Sequence, residues 1–280
     1  MKSVPSYRLG LPAWAYAGWE RQYFGDDSSG RLAQYAEVFN CVEGNTTFYS
    51  IPSEETVRQW QEQLEGKDFH FCFKLPREVT HHQNGPMAAG LNTFFQRLEP
   101  LAEFLGPFMV QLPASVGPDQ MPAIRKLLAA VPQDYRCAIE VRHPEFFISG
   151  STFDEYFADT HSFRVIMDSR PIHKEEPHHP EVLAARHAKP DVPVFFSTCS
   201  GGVLVRLVYH PDEHINEHYT QEWIRHLKPW ITNGEQVYMM IHCPNNQYCP
   251  EQAERFHLQL QEAVDLPDLS PWPLRQGQLF

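Results

Sequence analysis

The sequence predicts an α/β protein folded as a single-domain, TIM-like (β/α)8 barrel. Three observations carry that expectation. Eight short apolar runs recur along the 280 residues, nearly all separated by segments with apolar residues at helical spacing. Strand and helix patterns in alternation demand parallel strands joined by crossover helices, and eight such units are the number that closes a barrel. Finally, the runs end on polar residues at seven successive strands: Glu43, Lys74, Gln111, Glu140, Asp168, Arg206 and His242.

Strand one is residues 7–11, stopped by Pro12. Leu32, Tyr35, Ala36 and Phe39 recur at helical spacing and give helix one. Strand two opens the stretch Cys-Val-Glu-Gly-Asn-Thr-Thr-Phe-Tyr at 41–49, where period 2 puts Cys41, Glu43 and Asn45 on one face. Pro52-Ser53-Glu54-Glu55 starts helix two: Ser53 caps free N–H groups and the two acids suit the positive end of the helix dipole. Val57, Trp60 and Leu64 form its buried stripe. Strand three, 69–75, alternates cleanly, with the four apolar residues Phe69, Phe71, Phe73 and Leu75 opposite His70, Cys72 and Lys74.

Helix three spans 92–104, strand four 108–112 and helix four 121–131. Strand five, 136–141, runs into Arg142-His143-Pro144. A short helix at 153–157 precedes strand six at 163–168. Residues 170–200 break the rhythm. Rich in Pro and His, with a short helix at 181–187, they read as an insertion that is either solvated or a lid over the barrel mouth. Strand seven (203–208), helix seven (219–230), strand eight (237–242) and a last helix (251–264, with Pro250 at its start) complete the barrel. The core is therefore 7–264, followed by a Pro-rich tail at 265–280.

Composition narrows the function classes. A net charge of -12 opposes broad binding to nucleic acid, which needs a basic surface, so nucleic acid is not the expected partner. None of the six cysteines forms a Cys-x-x-Cys pair, which argues against a zinc ribbon and for reduced thiols. No apolar run is long enough to span a membrane, and the N-terminus lacks a signal peptide's apolar core; a soluble cytoplasmic protein is expected.

In a (β/α)8 barrel the C-terminal strand ends build the active site. Three acids, Glu43, Glu140 and Asp168, then meet three bases, Lys74, Arg142 and Arg206. A self-satisfied ion-pair network closing the barrel is one reading. The other is a pocket for a small polar or anionic ligand. There Arg142 and Arg206 clamp an anion or carbonyl oxygen, and Glu43 or Glu140 supplies acid–base chemistry. Lys74 stabilises developing charge or, desolvated, forms a Schiff base, and Asp168 completes the catalytic set. Asn45, Gln111, His242 and Asn246 add hydrogen bonds, while Trp14 and Tyr49 stack on a flat substrate or pack the rim. No cofactor motif is present. A divalent metal held by Glu43, Glu140, Asp168 and His242 is an alternative that the nearby cations oppose, so no metal site is assigned. His143 fits a helix cap better than a ligand, and His81-His82 and His178-His179 read as exposed pairs.

The same residues resemble a known family. Glu43-Gly44-Asn45-Thr46-Thr47-Phe48-Tyr49 followed by Pro52-Ser53 is similar to the E-x-N-[ST]-T-F-Y…P-[ST] signature of the YecE-like family, domain of unknown function 72. Lys74 to Arg77 with Thr80-His81 resembles its K-x-P-R…[TS]-H stretch, and residues 106–113 its L-G…Q-L-P segment. Glu140 to Pro144 resembles E-x-R-H-P, and residues 242–250 the H-[TC]-P-D-N…A-P form. Gly44 stands where Val or Ile is commoner, which would loosen that strand end. Asn245 and Cys249 replace an Asp and an Ala. The resemblance covers about residues 7–262 and implies a TIM-like barrel but no activity. Some relatives are similar in shape to endonuclease-type barrels; the acidic charge and the absence of a His-rich trinuclear zinc pattern weigh against that use here.

Two functions from different classes remain. The first is an enzyme of hydrolase, lyase or isomerase type acting on a small polar or anionic substrate. The second is a non-catalytic binding protein for nucleic acid or a protein partner.

Overall fold

Proline and glycine punctuation cuts the chain into strand–helix units, and the computed structural model closes those units into a barrel. It describes residues 6–20, 22–24, 30–82, 85–150, 152–174 and 179–276. The eight strands are β1 Tyr7–Leu11, β2 Cys41–Gly44, β3 His70–Phe73, β4 Phe108–Gln111, β5 Cys137–Glu140, β6 Phe163–Asp168, β7 Gly202–Val208 and β8 Gln236–His242. All pair in parallel, in the order β3-β2-β1-β8-β7-β6-β5-β4. The two outer strands meet through isolated bridges, Phe71 to Leu105 and Lys74 to Met109, and Leu75 N donates to Met109 O at 3.0 Å. Those contacts complete the circle.

The helices are α1 Arg31–Val38, α2 Glu54–Leu64, α3 Arg77–Thr80, α4 Leu91–Leu98, α5 Met121–Ala129 and α6 Thr152–Phe157. They continue with α7 Arg170–His173, α8 Pro180–Ala188, α9 Glu213–Thr232, α10 Cys249–Gln261 and α11 Pro273–Gln276. Ser53 caps α2, its hydroxyl accepting from Thr56 N at 3.1 Å. The helix expected over 92–104 ends at Leu98 and continues as a 3-10 segment, Glu99–Phe104, because Pro100 stands at its start. The helix expected from 219 begins at Glu213, where the Asp212 side chain accepts from His214 N at 3.0 Å.

Strand alternation sorts side chains into two cores. Outward-facing residues such as Leu9, Val42, Phe71, Ile139 and Ile241 pack under the helices. Inside the barrel, Cys41, Cys72, Met109, Ala138, Val165, Leu204 and Met240 form an apolar plug above Phe163 and Tyr238. All six cysteines are free and buried. The plug lies directly beneath the inward residues that follow it at the strand ends.

In the segment after β6, the described residues on either side of 175–178 pack against the barrel. Ile172 of α7 and Val182 and Ala185 of α8 pack on Met167 and Val208, which end the inner faces of β6 and β7. The segment thus covers one side of the barrel mouth. The tail goes elsewhere: Trp272 is fully buried against Tyr23, Phe24 and Phe39 on the barrel's outer side, and its indole donates to Glu254 at 2.5 Å. Gly44 does not loosen its strand. It pairs with Phe73, whose ring occupies the space a Cβ would need, 2.2 Å from that position.

Candidate functional site at the barrel mouth

Six of the strand-end residues named from the sequence converge with Arg142 in one cluster. Glu43, Lys74, Gln111, Glu140, Arg206 and His242 all lie on the inward parity of their strands, one step above the plug. Arg206 holds Glu43 bidentately, Nε to Oε2 at 2.8 Å and Nη2 to Oε1 at 2.9 Å. Its Nη1 donates to Glu140 Oε2 at 2.6 Å. Arg142 covers the other oxygen of Glu140, with Nε at 2.7 Å. Lys74 Nζ donates to Gln111 Oε1 at 3.0 Å and stands 3.4 Å from Glu43 Oε1. His242 Nε2 lies 3.0 Å from Glu43 Oε2.

The electrostatics follow from that geometry. Burial alone would raise the carboxyl of Glu43, but Arg206, His242 and Lys74 overcome it and hold the group well below the usual range. Against the same cost of burial, Arg206, Arg142 and Lys74 push Glu140 down to about 2. Burial lowers His242 to about 3, so the imidazole is neutral and its Nε2–H donates to Glu43. Burial and the neighbouring Arg206 also lower Lys74. Both carboxylates are therefore fixed anions whose oxygens are already engaged. At neutral pH they are counter-ions to the surrounding cations. Three cations surround the two carboxylates, which leaves positive charge in excess.

Asp168 does not join this cluster. In β6 the inward residues are Phe163, Val165 and Met167, so Asp168 falls on the opposite parity, beside Leu207 of β7. Its carboxylate accepts from Arg170 Nε at 2.9 Å and Nη2 at 2.8 Å, and from the Trp223 indole of α9 at 2.8 Å. This is a buried brace between the start of the inserted segment and α9. The four-residue metal set considered from the sequence consequently does not converge, and among the described residues no group of three or more His, Cys, Asp or Glu is placed to hold a metal ion.

The ligand-contacting set also divides. Asn45 ties loops together, its Nδ2 donating to Pro12 O at 2.9 Å. Trp14 packs edge-on against Trp60 and Phe71, on the outer side of β3. Asn246 holds Trp19 through its carbonyl, 2.9 Å from the indole nitrogen. Tyr49 is different: it is 79% exposed and lines an open groove of about 490 Å³ with Phe48, Ile51, Pro76, Arg77 and His81. His143 caps the turn Pro144–Phe147, its Nδ1 accepting from Glu145 N at 3.3 Å. His178 lies outside the described residues, while His179 is exposed.

Two residues were not singled out as functional from the sequence. Thr47 is fully buried and donates to the carbonyls of Gly44 at 3.1 Å and Lys74 at 2.7 Å, locking the ends of β2 and β3 together. His81, read as an exposed residue, is half-buried beside the mouth. Its ring meets Phe48 at 5.2 Å, and the Lys74 ammonium stands 5.9 Å from the same Phe48 ring. Burial, Arg142, Arg77 and Lys74 all lower its pKa. Thr80 Oγ1 donates to Pro76 O at 3.4 Å and lies 2.9 Å from His81 Nδ1. The signal that would have found His81 is the Thr-His pair five residues beyond Leu75, in the loop that every barrel strand sends over the mouth.

Comparison with known proteins agrees with this architecture. The chain is 35% identical over 278 residues to the UPF0759 protein YecE of Escherichia coli, covering 97% of this chain and 99% of that one. Among solved structures it resembles a DUF72 family protein of Thermotoga maritima, with a TM-score of 0.68, 19% identity and 91% and 99% of the two chains covered. A DUF72 family protein of Enterococcus faecalis matches with a TM-score of 0.66, 22% identity and coverage of 95% and 98%. Residues 8–276 fit the family described as protein of unknown function DUF72, and with that match and the YecE identity the chain belongs to the DUF72 family.

Proposed function

We propose that the protein is an enzyme that binds a small anionic substrate at the barrel mouth and transfers a proton there. One observation carries the reading: Arg206, Arg142 and Lys74 crowd around only two carboxylates, on a floor sealed from below by the apolar plug. Uncompensated positive charge at the strand ends favours an incoming anion. Glu43 and Glu140 hold the cations in place. The proton-transfer role passes to His81, whose lowered pKa keeps it neutral at pH 7 and able to accept a proton. Tyr49 and Phe48 give the substrate an aromatic wall. The net charge of -12 weighs against nucleic acid as the ligand.

The test is a thermal-shift screen of small carboxylates and phosphates at constant ionic strength, with stabilising compounds followed for turnover by NMR. Wild-type protein and His81→Gln are compared. Stabilisation of both, with turnover lost only in the variant, is the expected result. A wild-type protein indifferent to every anion overturns the binding assignment, and undiminished turnover in His81→Gln overturns the role of His81.

A further inference from the structure

The covering segment between β6 and β7 brings one more cation to the mouth. Lys189 follows α8 directly and caps its C-terminal end. Its backbone is pinned on both sides. Lys189 N donates to Ala185 O at 2.8 Å, and His173 Nε2 donates to Lys189 O at 3.1 Å. The next carbonyl, Pro190 O, accepts from Ser169 Oγ at 2.6 Å, directly beyond the end of β6. A third restraint comes from the far side of the mouth, where Asn245 Nδ2 after β8 donates to Glu181 Oε1 of α8 at 3.0 Å. With Val182 and Ala185 seated on Met167 and Val208, the end of α8 is fixed over the inner edge of the barrel.

The Lys189 side chain is half-buried, and its ammonium has no hydrogen-bond or ion-pair partner among the described residues. Other lysines of known partner behave differently: Lys67 meets Glu37, and Lys74 meets Gln111 and Glu43. Lys189 nevertheless lies within electrostatic reach of Arg206, Glu43, Lys74 and Glu140, and of His242. Burial, followed by Arg206 and with Glu43 partly offsetting, lowers it to about 8. An amine held beside Arg206 and Lys74 is repelled by both, and an arriving anion relieves that repulsion.

We propose that Lys189 is the fourth cation of the barrel-mouth site and that the site's ligand carries a dianionic group of the phosphate type, bound between Lys189, Lys74 and Arg142. The inference rests on the anion-site reading above and sharpens it. Four cations against two carboxylates leave two positive charges, the charge a phosphate monoester neutralises. Arg142 offers a planar pair of donors for two phosphate oxygens, and the lysines serve as point charges for the third. The inserted segment then has a reason to be built and braced: it delivers one ligand-binding amine to a mouth otherwise made by strand ends.

Titration calorimetry with inorganic phosphate, succinate and acetate, at fixed ionic strength and neutral pH, tests this. The proteins are wild type, Lys189→Met and Lys174→Met, the last a control at an exposed lysine of the same segment. Phosphate is expected to bind wild type and the control alike and to bind Lys189→Met roughly ten- to thirtyfold more weakly, the loss of one charge-assisted contact. Urea unfolding of Lys189→Met should match or exceed wild type, since no native partner is lost. Equal phosphate affinity in Lys189→Met overturns the role of Lys189 while leaving the anion site standing. Succinate or acetate binding as tightly as phosphate overturns the phosphate assignment. Wild-type protein that binds none of the three overturns both this inference and the function it rests on.

Discussion

Arg206 of β7 grips Glu43 of β2 across the barrel mouth with two parallel hydrogen bonds, 2.8 and 2.9 Å long, while both side chains are almost wholly out of water. Such a pair is expensive to break from one side, because the stranded charge keeps its desolvation cost. Arg206 also serves Glu140, so its removal strands two carboxylates. Arg206→Met is expected to lose roughly 3–5 kcal/mol of stability in urea unfolding. Arg206→Lys, which keeps the charge but not the fork, should recover only part of that. A stable Arg206→Met protein would show that the network contributes little to the fold.

The same burial makes the protein acid-labile in a defined window. Glu140 titrates near 4.5 in the unfolded chain and at about 2 in the folded one. Between these values the unfolded state binds more protons, so stability falls as pH falls, by about 3 kcal/mol in all for this group. His242 works in the same direction over a higher window, from its ordinary 6.5 down to about 3, because its buried imidazole resists protonation until the fold gives way. Urea midpoints between pH 7 and pH 3 should therefore decline in wild type. His242→Gln should flatten the decline above pH 4.5, and Glu140→Gln should flatten it below. Parallel profiles in all three proteins would contradict these assignments.

Asp168 illustrates a strand-end acid with a structural task. Its four acceptor contacts brace Arg170 and Trp223, and Arg170 continues to Glu222 at 2.7 Å. Asp168→Ala leaves the buried Trp223 indole unpaired and is expected to cost about 3 kcal/mol. Anion affinity, measured on the protein that remains folded, should change little, since the brace faces the helices. A large loss of affinity at unchanged stability would return Asp168 to the site.

Much of this molecule was legible in one dimension. The eight strands emerge near their predicted bounds, because Pro12, Pro113 and Pro144 and the turn residues mark real strand ends. The β3 alternation assigned Cys72 and Lys74 to one face correctly. The same rule, applied to Phe163, Val165 and Met167, turns Asp168 outward, so a place at the strand end does not by itself put an acid in the mouth. Trp14 and Asn45 were ambiguous in principle. An aromatic or an amide in a βα loop packs or binds according to what the other loops leave open, and that is a tertiary fact.

By itself the sequence determined the periodicities, hence the barrel, and the inward stations of Glu43, Lys74, Gln111, Glu140, Arg206 and His242, because side-chain direction in a strand is a local property. Tertiary structure alone decided which charges meet. It brought Arg206 to two carboxylates from β2 and β5, seated His81 against Phe48, and packed α8 on the ends of β6 and β7. Those encounters depend on barrel stagger and loop packing between residues as far apart as Glu43 and Arg206, whose separation is 163. No local pattern encodes a distance of that kind.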